Sequence, residues 1–168
     1  DWISLVQIGE QTNLSAKNPY LFFLNPDFDL PMEVDVPINL RASFSFFTYH
    51  EYFRIWMDLN QDNDFEASEI VFEGVLEPPM NGNGVSKILS GTLNIPATAS
   101  DCRTRMRVSM SRNGFAGPCE TIEFGEVEDY FVNIGSSNSA REVVDNRQLS
   151  ATVPAVQAQI FPNPTSGT

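Results

Sequence analysis

Apolar and polar positions alternate along this chain with a period of two. Phe53, Ile55 and Met57 alternate with Tyr52, Arg54 and Trp56. Thr104, Met106, Val108 and Met110 alternate with Arg103, Arg105, Arg107 and Ser109. Val127, Asp129 and Phe131 alternate with Glu128, Tyr130 and Val132, and Leu40, Ala42, Phe44 and Phe46 with Arg41, Ser43 and Ser45. Neighbouring side chains of a strand point to opposite faces, so each run predicts a strand. Shorter candidates lie at 3–8, 20–24, 33–36, 70–75, 86–89 and 92–95. They recur about every 8–15 residues, separated by Pro, Gly and Asn, and no stretch has a convincing helical period. The pattern predicts an all-β fold, an antiparallel β-sandwich of Ig-like or jelly-roll-like type.

The alternation lapses after Ile134. Gly135-Ser136-Ser137-Asn138-Ser139 reads as a flexible connector, and residues 140–152 are polar with mixed charge. The expected division is a globular domain at 1–135 and an extended C-terminal tail at 136–168. Within the tail, residues 153–161 alternate weakly, as a strand added to a sheet edge would.

Composition supports a core: 42% of residues are hydrophobic, with thirteen Phe. Charge narrows the partners. A formal net charge of −12 repels phosphate backbones, which excludes nucleic acid as the expected ligand. No apolar run approaches the ~18 residues of a membrane span. Asp1-Trp2-Ile3 carries no signal-peptide pattern, which reads as a mature or excised fragment. His50 is the single histidine, and no Gly-rich phosphate loop or Cys-His pairing accompanies it. No enzyme activity is expected. A structural or surface role is the reading for His50.

The sharpest local feature is Asp58-Leu59-Asn60-Gln61-Asp62-Asn63-Asp64-Phe65-Glu66-Ala67-Ser68-Glu69. Asp58, Asn60, Asp62, Asp64 and Glu66 take loop positions 1, 3, 5, 7 and 9, and Glu69 takes position 12. Calcium wants six to eight oxygens at about 2.3–2.6 Å, and this spacing wraps them around one point. Asn63 stands where an EF-hand has Gly, and Asn tolerates a left-handed backbone. The flanks are strands, so this is not a helix–loop–helix hand. Crowded carboxylates repel one another without a cation, which favours Ca2+ over the alternative of a solvated acidic turn. The expected role is structural.

Two further clusters admit alternatives. Arg103, Arg105 and Arg107 share one strand face, and Glu126, Glu128 and Asp129 are expected to pair with them across the sheet. A second cation site and plain solvation are the other readings. Trp2, Trp56, Tyr52 and Tyr130 fill or edge the core, or else form a platform for a surface glycan.

Three segments in order resemble the GEVED domain of secreted Bacteroidetes proteins. They are Phe53–Phe65, with its aromatic strand running into the acidic loop; Thr104-Arg105-Met106-Arg107-Val108-Ser109-Met110; and Phe124-Gly125-Glu126-Val127-Glu128-Asp129-Tyr130. The opening Ile3–Gly9 is similar to the family's usual start. In the tail, Phe161-Pro162-Asn163-Pro164-Thr165-Ser166-Gly167 is similar to the first motif of a type IX secretion sorting domain. The resemblance implies a secreted or cell-surface protein. In an exported protein, Cys102 and Cys119 are expected to form one disulfide, with free thiols as the alternative. The function expected is a non-catalytic module for adhesion or assembly, including self-assembly into a filament through residues 153–161. The alternative is a carbohydrate-binding or accessory module of a larger secreted hydrolase.

Overall fold

A computed structural model describes residues 1–18, 20–43, 49–78 and 88–135. The tail from residue 136, including the expected strand at 153–161, lies outside them. Among the described residues nine strands form two sheets. The first sheet orders β2 (Gln11–Asn13), β1 (Trp2–Ile8), β4 (Val36–Ser43) and β7 (Ile88–Leu93). The second orders β3 (Tyr20–Leu30), β9 (Gly125–Ile134), β8 (Cys102–Ser111), β5 (Glu51–Met57) and β6 (Ile70–Leu76).

The alternating positions meet in the middle. Ile3, Val6 and Ile8 of β1 and Ile38, Leu40 and Ala42 of β4 pack against Phe53, Ile55 and Met57 of β5 and Met106, Val108 and Met110 of β8. Tyr130, Val132 and Ile134 of β9 complete the layer. This is the expected β-sandwich, in which the apolar face of each sheet is hidden by the other.

Four details depart from the expectation. β3 pairs with β9 in parallel, so the second sheet is mixed. β3 also runs on to Leu30, past Asn25-Pro26-Asp27, with an irregularity between Phe23 and Phe28. Glu33 bends at φ 56 instead of opening a strand, and β4 starts at Val36. The two candidates around 86–95 are one strand, β7, running through Ser90-Gly91.

The expected Cys102–Cys119 disulfide is corrected: both cysteines are free. Cys102 opens β8 opposite Ile134. Cys119 lies in the connection after β8 and lines a cavity beside Arg107 and Tyr20. The Arg107 side chain donates to the carbonyl of the preceding Pro118 at 2.5 Å. Arg107 is five positions further along β8, about 16 Å at ~3.3 Å per residue. A disulfide needs Cα atoms within about 7 Å.

Candidate metal centre and the acidic clamps around it

The acidic loop connects β5 to β6 across one end of the second sheet. Its first residue is fixed to β8 at two backbone points. The Asp58 N–H donates to the Arg105 carbonyl at 3.0 Å, and the Thr104 hydroxyl donates to the Asp58 carbonyl at 2.7 Å. The loop then winds on its own side chains. Asn60 Oδ1 accepts the Asp62 N–H and Asp62 Oδ1 the Asp64 N–H, each at 2.9 Å. Asp58 Oδ2 accepts the Asn63 N–H at 3.2 Å. Such short polar side chains favour turns because they supply an acceptor two residues away. Gln61 and Asn63 take left-handed backbones, at φ 63 and 71. Asn63 thus makes the turn that an EF-hand makes with glycine.

The candidate ligands come together in part. The Asn60 amide donates to Asp62 Oδ2 at 2.9 Å and to Glu66 Oε2 at 3.2 Å. Local desolvation and the charges of Asp62, Glu69 and Asp64 push the exposed Glu66 carboxyl above its usual range, whereas the Asp64 N–H holds Asp62 below it. Asp64 Oδ1 folds back onto the Phe65 N–H at 2.8 Å. Glu69 is buried, and its two oxygens accept the N–H groups of Leu59, Asn60 and Glu66. Among the described residues no three His, Cys, Asp or Glu side chains are already gathered as a metal cage. The donor set nevertheless fits a hard cation at one atom: Asp58 is 3% exposed, and its Oδ1 has no hydrogen-bond partner. A buried carboxylate oxygen without a partner is costly, and a bound cation removes the cost.

The arginine strand pairs as expected only in part. Arg107 makes a bidentate pair with Asp129, at 2.6 and 2.5 Å, directly across from it on β9. Arg103 pairs with Asp27 on β3 and stacks 3.6 Å over Phe131. Glu126 and Glu128 do not join the ladder. Alternation places them on the inner face with Tyr130 and Val132, and both are buried. Glu126 clamps two distant segments: Oε2 accepts the Ile3 N–H at 2.6 Å and Oε1 the Asn18 N–H at 2.8 Å. Glu128 accepts the Tyr130 hydroxyl at 2.5 Å. Gly125 lets β9 approach β8. Its φ is +149, and a Cβ there would sit 1.9 Å from the Met110 carbonyl oxygen.

Glu51 was not singled out by the sequence reading. It is wholly buried, neither carboxylate oxygen has a hydrogen-bond partner, and Arg112 Nε stands 3.8 Å away. The signal for it existed, since period two puts Glu51 on the same face as Phe53 and Ile55. His50 meets Glu77 at 2.6 Å at the surface. Of the four candidate stacking aromatics, Trp56 and Tyr130 are buried and offer no open ring face.

Residues 52–133 match the family model of the GEVED domain, from within β5 to within β9. No curated protein matches the chain.

Proposed function

We propose that this chain is a non-catalytic extracellular β-sandwich module, stiffened by one calcium ion in the acidic loop and serving cell-surface adhesion or assembly. The observation that carries the reading is the orphaned, buried Asp58 Oδ1 at the head of that loop. Asp58, Asn60, Asp62, Asp64, Glu66 and Glu69 would hold the ion, whose charge offsets their mutual repulsion. The GEVED match and the β-sandwich support an extracellular module. The sorting-like residues 161–167 support export by type IX secretion.

Assembly through residues 153–161 draws support from the sheet edges. Among the described residues β3 ends the second sheet, and it exposes Tyr20, Phe22 and Leu24. An apolar edge of this kind accepts an added strand. Light scattering at high concentration should show self-association that is lost when residues 153–168 are removed. Monomers in both cases would reject this part of the proposal.

The ion has its own test. Free calcium at 100 times Kd adds about 2.7 kcal/mol to stability, which is several degrees in Tm. Chelation should lower Tm by that amount, and Asp62→Ala should abolish the difference. An identical melt with and without chelator would reject the ion.

A further inference from the structure

Arg105 touches the acidic loop at three places. Its backbone carbonyl accepts the Asp58 N–H. Its guanidinium donates to the Asn63 carbonyl at 2.6 Å and lies 5.6 Å from the centre of the Phe65 ring. The same guanidinium faces Asp58, yet the two do not bond: Nη2 is 3.9 Å from Oδ2. Each partner retains a buried atom with no hydrogen bond, Asp58 Oδ1 and Arg105 Nε. An arginine and a carboxylate this close ordinarily form a two-point fork. Here the guanidinium has turned to the Asn63 carbonyl instead and stays 3.9 Å from Oδ2 of the loop's first candidate ligand.

The geometry points to Arg105 as the loop's resident counter-cation, which balances the charge of Asp58 in the metal-free protein and opposes entry of a divalent ion, so that it sets the affinity of the site. This rests on the calcium reading above. The argument is one of charge. In the metal-free protein Asp58 is a buried carboxylate, and Arg105 is the cationic side chain paired with it. Once a doubly charged ion binds Asp58, the guanidinium becomes a like charge a few ångströms away. Repulsion at such a distance is strong enough, even with water-like screening, to weaken binding roughly tenfold. The hydrogen bond to Asn63 works the other way, because it steadies the left-handed turn. It is a single bond to a backbone carbonyl, and the charge effect outweighs it.

The test uses the whole chain, with calcium alone as the probe, and measures Kd by calorimetry and Tm in chelator. Arg105→Met removes the charge and keeps an apolar stem against Phe65. It should melt below wild type in chelator and bind calcium roughly tenfold more tightly. Arg105→Lys keeps the charge without the fork and should bind no more tightly than wild type. If Arg105→Met is unfolded in chelator, Arg105→Gln, which removes the charge and keeps a donor for the Asn63 carbonyl, takes its place and should also bind calcium more tightly than wild type. A Met variant that binds no more tightly than a calcium-binding wild type overturns the role of Arg105 and leaves the calcium reading intact. No calcium response in either protein overturns both.

Discussion

Replacing Glu126 with alanine should lower the free energy of unfolding by about 3–5 kcal/mol, a loss as large as that of truncating a buried aromatic core side chain. Its two oxygens accept the N–H groups of Ile3 and Asn18, more than a hundred positions away in the chain. Alanine leaves both donors without an acceptor, at about 1–3 kcal/mol each, and adds the space of the missing side chain. Glu126→Gln keeps one acceptor and turns an amide N–H2 toward the second donor, so an intermediate loss is expected. Glu123→Ala, at an exposed position close by, should change stability by no more than about 0.5 kcal/mol. Urea unfolding of the three variants measures the series. A loss below about 1 kcal/mol for Glu126→Ala would mean that water replaces the clamp.

The clamp also gives the Gly125–Asp129 segment a physical meaning. Gly125 allows β9 to close on the Met110 carbonyl, Glu126 ties down the β1 strand and the approach to β3, and Asp129 neutralises Arg107 on the opposite face. One short run of sequence therefore fastens both faces of the sheet. The family match at residues 52–133 leaves out β1 to β4, yet Glu126 lies inside the match and holds Ile3 and Asn18 outside it.

Local alternation made β5, β8 and β9 legible in the sequence, because each buries one face continuously. It did not reveal that β3 runs parallel to β9, since the period of a strand carries no information about its partner's direction. Asn25-Pro26-Asp27 has turn chemistry, and it falls where the β3–β9 pairing shifts register between Phe23 and Phe28 without ending the strand. The acidic loop was legible for the same reason that its turns form: spaced Asx side chains satisfy N–H groups two residues on. Glu69 stands at the position of a closing ligand, and in the fold its two oxygens accept three loop N–H groups. Glu126 and Glu128 do not pair with the arginines as expected, because Arg103, Arg105 and Arg107 share the face of the odd-numbered residues of β9. Taking the period of two literally through Glu126 and Glu128, and back to Glu51, places all three inside.

That placement makes stability depend on pH in an unusual direction. Burial pushes the Glu51 carboxyl up to about 7 against the pull of Arg112, and burial also pushes Glu128 up to about 7 although Tyr130 donates to it. The folded protein therefore holds these protons more tightly than the unfolded chain does. Below about pH 4.5 both states are protonated and the groups are neutral contributors. As pH rises from there to about 7 the unfolded chain ionises first, and stability falls. Above pH 7 the penalty is complete, at most about 3 kcal/mol for Glu51. Glu51→Met removes a buried charge whose oxygens have no hydrogen-bond partner, while Arg112 keeps its 2.6 Å bond to Asp1. The variant should gain about 2–3 kcal/mol at pH 8 and almost nothing at pH 4. Glu128→Gln, which leaves an acceptor for the Tyr130 hydroxyl, should flatten the remaining slope between pH 5 and 7. Urea unfolding in chelator keeps divalent cations out of the comparison. A Glu51→Met variant that loses stability at pH 8, or keeps the wild-type slope, would mean that Glu51 is ionised and satisfied by Arg112, and the inner face would then hold a working ion pair.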